Sequence, residues 1–215
     1  MASIEYYWTK TKDPIRISEY ATNIGFNLRS LEYENIDDDK WEWINKKIRF
    51  DILAEISDCW EDEDEERNGK LSSVKQGIYV ISLADNMSID YNGNPSKVIY
   101  IGRGCIRSRL ATHFKYWIKT FNDSLQDISF DIWMTEIRHP GSKNAFKEVE
   151  ADLLDYFYGK YDCYPIQNSI RGDIHNKKHD YKNDWNKPLI KPPHINNGWA
   201  IRPLENNDWA IEFEE

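Results

Sequence analysis

The chain predicts an α+β fold whose centre runs strand, strand, helix, strand, helix. Three observations predict it. Residues 77–83 (Gly-Ile-Tyr-Val-Ile-Ser-Leu) and 98–102 (Val-Ile-Tyr-Ile-Gly) are β-branched and aromatic runs bounded by Gly, Asn, Asp and Pro, as strands are. Residues 106–121 and 145–158 carry apolar side chains at helical spacing. Between these segments Ile128, Phe130, Ile132 and Met134 alternate, which predicts a third strand running to about Arg138.

Each element has a local reason. A helix over residues 17–31 is compatible with the pattern, although Gly25 weakens it. A long helix follows from Asp37 towards Arg67, because Ile44, Ile48, Ile52, Ile56 and Trp60 recur every four residues with Leu53 beside them. The Asp37-Asp38-Asp39 cluster suits its start. The acidic run at residues 61–66 reads as a solvated helix end. After the two strands, Ile106, Leu110, Phe114, Trp117 and Phe121 form the apolar side of the first core helix. Pro140-Gly141 breaks the chain, and Ser142 suits a cap for the second core helix. Residues 171–198 are polar and read as a long loop. Trp199-Ala200-Ile201 and Trp209-Ala210-Ile211 flank Asn206-Asn207 and suggest a terminal hairpin. The expected organisation is an acidic, mainly helical extension (1–70), a core (71–170), and a polar loop and hairpin packed on it (171–215).

Composition narrows the function classes. With 215 residues, 40% of them apolar, the chain can bury a core. No apolar run is long enough to span a bilayer, and the N-terminus lacks the basic start and apolar stretch of a signal peptide. A cytoplasmic protein without membrane partners is expected. Cys59, Cys105 and Cys163 are widely spaced with no Cys-x-x-Cys pair, which argues against a zinc ribbon. Cys105 alone lies in a basic segment.

The net charge of −9 is unevenly spread. Residues 1–70 hold 10 Lys+Arg against 18 Asp+Glu, and residues 71–215 hold 18 against 19. No acid lies between Asp90 and Asp123, whereas Lys97, Arg103, Arg107, Arg109, Lys115 and Lys119 do. Such a patch attracts phosphate whatever the total charge. Lys177, Lys178 and Lys182 add basic residues in the polar loop and join the candidate nucleic-acid contacts.

Helical arithmetic selects candidates for chemistry. With each residue advancing about 100°, His113 lies about 40° from Arg109, on one shoulder of the apolar side. An Arg there can clamp a phosphate with fixed donors. On the second core helix Glu150 falls about 40° from Phe146, within the arc of Val149, Leu153, Leu154 and Phe157. Glu148 falls at about 200°, so it is expected in solvent. A carboxylate on an apolar face is costly unless paired or bound to a metal, which makes Glu150 the candidate ligand of a hard divalent cation.

The ordered set of Gly77-Ile78-Tyr79, Tyr100-Ile101-Gly102, Arg109, His113 and Glu150 resembles the GIY-YIG nuclease family, metal-dependent enzymes that hydrolyse DNA phosphodiesters. The resemblance covers about residues 74–170, under half of the chain. It implies a small three-stranded sheet flanked by helices. It implies an endonuclease using Mg2+ or Mn2+ on Glu150, with Tyr79 as proton acceptor and Tyr100 holding water or phosphate. Arg103 stands where family members often carry a basic residue, and Asn168 where the family has a supporting asparagine. A free phenol titrates near pH 10, so Tyr79 needs nearby positive charge or a hydrogen-bond network to act at neutral pH. The insertion at residues 84–97 is similar to the elaborated hairpin of the family's restriction enzymes, which points to restriction or defence. DNA is the implied partner, and RNA stays open as a substrate. A homodimer would follow if one site per chain must cut two strands. A non-catalytic binding or interaction module on the same fold is the rival expectation.

Overall fold

The computed structural model describes residues 3–27, 37–63, 69–84, 87–117, 128–169, 171–182 and 184–190, and the backbone of 199–201. It is a mixed α+β structure. Its described strands are β1 (Ser3–Ile4), β2 (Thr9–Lys10), β3 (Gly77–Leu83), β4 (Met87–Tyr91), β5 (Asn94–Ser96), β6 (Val98–Gly104), β7 (Phe130–Glu136), β8 (Asp180–Tyr181) and β9 (Trp199–Ile201). Its described helices are α1 (Ile17–Asn23), α2 (Asp38–Glu63), α3 (Ile106–Lys115) and α4 (Ala145–Tyr161).

The main sheet has the order β2-β7-β3-β6 and is antiparallel throughout. All of β3 is buried. A strand covered on both faces needs apolar side chains on both, which is why residues 77–83 read as a continuous run rather than an alternation. The sheet has one strand more than the three expected. Thr9 and Lys10 of the N-terminal segment add to the free edge of β7. The insertion at residues 84–97 folds into a β4–β5 hairpin, whose turn places Asn92 and Gly93 at φ 52° and 76°. Asn-Gly tolerates that left-handed geometry best.

Helix α2 follows the predicted stripe: Ile44, Ile48, Ile52, Leu53, Ile56 and Trp60 are all buried. Each buried isoleucine contributes about 1.5–3 kcal/mol. The Asp37 carboxylate accepts the Lys40 amide at 2.7 Å and caps the helix start. The stripe packs against α1, α3 and the β2 edge, so the acidic N-terminal part belongs to the same core as the central sheet. Of the acidic run, Glu61 accepts the Leu71 amide and Asp62 pairs with Lys12, while 64–66 lie outside the described residues.

Several boundaries differ from expectation. Helix α1 ends at Asn23 as the chain turns through Gly25 at φ 75°. Helix α3 is assigned to Lys115, and Phe121 lies outside the described residues. Ser142 does not cap α4. The residue before the helix is Asn144, whose amide donates to the Ser142 hydroxyl two residues too early for a cap. Trp199–Ile201 pairs in parallel with β4, and the other arm of the expected terminal hairpin, 209–211, lies outside the described residues. Residues 171–182 are irregular as expected. They run along α4 and end in β8, which pairs in parallel with β1.

Gly77 sits where α3 meets the sheet. A Cβ there would lie 2.4 Å and 2.5 Å from two side-chain carbons of fully buried Ile106. Gly77→Ala is expected to destabilise the fold by about 1–3 kcal/mol through overpacking. Gly69→Ala, where the nearest atom is 3.8 Å away, serves as control in the same urea titration.

Candidate functional site

Sheet pairing places the two tyrosines. Tyr79 opposes Gly102, and Tyr100 lies two residues before that glycine, so all three share one face. A Cβ on Gly102 would sit 2.4 Å from a Tyr100 ring carbon and 2.6 Å from the Tyr79 hydroxyl. The missing side chain is the space in which the rings lie, with centroids 5.8 Å apart. Helix α3 covers this face and brings His113 to the Tyr79 hydroxyl, 2.9 Å from Nε2.

The direction of that hydrogen bond follows from Trp117. Indole N–H only donates, and it donates to His113 Nδ1. His113 therefore carries its proton on Nε2 and donates to Tyr79. Burial, reinforced by Arg109, pushes the imidazole down to about 4, so it is neutral at physiological pH. Arg109 engages both phenols from the exposed side of α3. Burial and then Tyr100 hold the Tyr79 phenol above its ordinary value, and Arg109 opposes them. The expectation that nearby charge makes Tyr79 more acidic is not met: the donors are present, but burial outweighs them and holds the phenol well above its ordinary value.

Arg103 is out of phase with the tyrosines and meets α4. Its guanidinium binds Glu150 Oε2 at 2.7 Å and Asp173 at 3.0 Å. Burial raises the Glu150 carboxyl to about 7; Asp173 adds to the rise, and Arg103 and Arg109 oppose it. Arg109 thus acts on the phenols and on Glu150 and links the two groups. Asn168 supports the site from behind. Its side chain accepts the Ile101 amide at 2.9 Å and donates to the Ile101 carbonyl at 2.7 Å, so it occupies the open edge of β6 as a strand would.

The remaining basic candidates are dispersed. Arg107 and exposed Lys115 lie on α3 with Arg109. Lys119 lies outside the described residues. Lys97 stands at the start of β6, about 20 Å of strand from Arg103. Lys177 is bound to Glu148 at 2.6 Å, and Lys178 and Lys182 are exposed on the same segment.

The solvated position expected for Glu148 is overturned. It is 9% exposed. The helical arithmetic correctly turns it away from the sheet, but residues 171–182 cross that side of α4. Gly172 makes the close approach, since a Cβ there would lie 2.8 Å from the Ala151 Cα. Lys177 and His179 meet the carboxylate at 2.6 Å and 3.0 Å. Burial works against its charge, but Lys177, His179 and His175 outweigh it and keep Glu148 below the ordinary carboxylate range. Glu148→Ala, which removes the buried partner of Lys177, is expected to cost about 1–3 kcal/mol in urea unfolding.

Sequence reasoning missed Trp117 as the residue that sets the imidazole tautomer, and Asp173 as the second partner of Arg103. It also missed Tyr116, which stands 60% exposed at the end of α3 with Lys115 over its ring. Asp152, His175 and His179 form a further cluster whose ligand atoms lie within 4.8 Å of one another. The His-x-x-x-His spacing at 175 and 179 was its only signal.

No protein-family model, curated protein or solved structure matches the chain. No helix among the described residues is long and apolar enough to cross a membrane.

The raised Glu150 carboxyl sets a pH dependence. Its folded value of about 7 exceeds that of the unfolded chain, so its stabilising contribution is full in acid and is lost as pH rises through 7. In metal-free buffer the melting temperature of Glu150→Gln minus that of the wild type should therefore increase from pH 5 to pH 8. A difference that stays flat or falls would place the carboxyl's titration elsewhere.

Proposed function

We propose that the chain is a divalent-metal-dependent endonuclease of the GIY-YIG type, acting on DNA. The observation that carries this reading is the position of Arg109. It is exposed, engages the two phenols and acts electrostatically on the Glu150 carboxylate, so a phosphate bound to it would lie beside the groups that the reading uses. Exposed Tyr116 and Lys115 on the same helix offer a ring for base stacking and a cation for the backbone.

Mg2+ or Mn2+ fits the donor set. Asp173 stands beside Glu150 and raises the cost of ionising it, and a hard cation relieves that cost. Glu150 would be the ligand, and the ion when bound supplies polarisation of the phosphate and stabilisation of the leaving oxygen. The protein's own groups do the rest. Arg109 and Arg103 bind the phosphate and offset its growing charge. His113 and Arg109 both donate to the Tyr79 oxygen, which offsets part of the cost that burial places on a phenolate there. Tyr79 gives up its own proton to solvent before the step and, as the phenolate, accepts the proton of the attacking water. Bound cation and phosphate alter the charge balance that burial sets in the free protein.

A second reading is a nucleic-acid-binding module without catalysis. The observation favouring it is that Arg103 already occupies Glu150 Oε2 and is itself held by Asp173.

Plasmid, single-stranded DNA and RNA incubated with the protein and Mg2+ or Mn2+ separate the readings. Cleavage is expected, stopped by EDTA and abolished by Glu150→Ala, whose binding to uncut DNA is retained. Arg109→Ala should weaken that binding by about 1.5–3 kcal/mol, the value of a charged hydrogen bond. Binding without cleavage of any polymer, unchanged in Glu150→Ala, would establish the module instead.

A further inference from the structure

The side of α4 away from the sheet carries a second constellation that the nuclease reading does not use. Glu148 and Asp152 stand one helical turn apart on that side. His175 and His179 reach them from the segment 171–182. His175 Nε2 lies 3.1 Å from Asp152 Oδ1, and His179 Nε2 lies 3.0 Å from Glu148 Oε2. The four side chains are only 10–23% exposed.

Ion pairs alone leave this cluster poorly satisfied. Glu148 Oε2, His179 Nε2 and His175 Nδ1 are buried without a hydrogen-bond partner. Buried polar atoms in folded proteins are seldom left so. Two of these atoms are 3.0 Å apart without the geometry of a hydrogen bond. Atoms in that relation are aimed beside each other, as the ligands of one ion are. Around a four-coordinate zinc ion with bonds of about 2.0–2.2 Å, neighbouring ligand atoms lie roughly 3.3–3.5 Å apart. The two close pairs, at 3.1 Å and 3.0 Å, are near that spacing, and the ligand atoms of Asp152, His175 and His179 lie within 4.8 Å of one another.

The surroundings match those of metal-binding side chains. His175 sets its Nε2 against the Glu148 carbonyl at 3.1 Å, which fixes the ring and leaves Nδ1 open. The Tyr181 hydroxyl donates to Asp152 Oδ2. An entrance exists as well, a cleft of about 350 Å³ lined by residues that include His139, Ser142, Lys177 and His179.

We propose that Asp152, His175 and His179, with Glu148 beside them, bind a transition-metal cation of the zinc class that pins residues 171–182 to α4. Two imidazoles with carboxylates suit zinc, whereas magnesium and calcium prefer all-oxygen shells. The site is separate from Glu150 and does not depend on the nuclease reading.

Metal-stripped protein titrated with ZnCl2 in a calorimeter tests it, with Glu150→Gln as the background so that the other carboxylate cannot contribute. One equivalent should bind with submicromolar affinity and not be displaced by millimolar MgCl2. His175→Ala and His179→Ala should each weaken binding by more than about 100-fold, beyond the loss from an outer-shell partner. Cobalt(II) should give the strong visible bands of a low-symmetry four-coordinate site, absent in His179→Ala. Zinc should also slow proteolysis between residues 171 and 182. Should an alanine variant fail to fold, the near-isosteric Asp152→Asn must still weaken zinc. No saturable binding, affinity unchanged in the histidine variants or in Asp152→Asn, or displacement by MgCl2 would each overturn the proposal and leave the nuclease reading untouched.

Discussion

A phenol with no exposed surface has to be satisfied from within, and the candidate site is built around that requirement at Tyr79. Its hydroxyl lies over a strand that would fill the space with any residue but glycine at position 102. His113, Arg109 and Tyr100 surround the oxygen, and Trp117 fixes the imidazole that faces it. Each depends on the last. Without Gly102 the rings cannot lie together, and without α3 packed tightly on Gly77 the histidine cannot reach. The two tripeptide glycines are thus packing requirements of one buried hydroxyl.

Helix α4 divides the rest of the chemistry between two sides. Glu150 looks towards Arg103 and the sheet, and Glu148 looks towards residues 171–182. Two residues of separation is enough to do this, since helical positions two apart do not face each other. The sides are nevertheless coupled. Gly172 and Asp173 begin the segment that covers Glu148, and Asp173 holds the arginine that holds Glu150. Moving that segment would take Asp173 from Arg103 and change the charge around the Glu150 carboxyl.

Patterns with a period were legible in the sequence. The α2 stripe, the alternation in β7 and the buried run of β3 emerge where expected, because burial on one or both faces imposes those spacings. Glu150 on the apolar side of α4 was legible for the same reason. What escaped was set by contacts distant in sequence. Thr9 and Lys10 join the sheet through pairing with Trp133 and Met134, and no local pattern marks a two-residue edge strand. Glu148 was assigned to water because helical arithmetic knows only one neighbour, the sheet. A second layer of irregular chain leaves no periodic trace.

The segment 171–182 shows why composition was a poor guide to its place. It is rich in lysine and histidine and lacks the apolar pattern of a core element, yet it lies against a helix and helps bury a glutamate. It can do so because its polar groups are matched: Arg171 faces Asp155, Asp173 faces Arg103, His175 faces Asp152 and Lys177 faces Glu148. At its far end the anchor is aromatic instead. Tyr181 stacks on Trp185 at 4.3 Å, and the Trp185 carbonyl accepts from Tyr6 and Trp8 at 3.0 Å and 2.8 Å. At the start of the segment Asp155 and Asp173 are more than half exposed, and exposed ion pairs are individually weak, with a median near 0–1 kcal/mol. The aromatic anchor therefore sets where the segment ends, and the polar contacts set its path along α4. An attachment of that kind can be strong at one end and adjustable at the other, and the adjustable end is the one that carries Asp173.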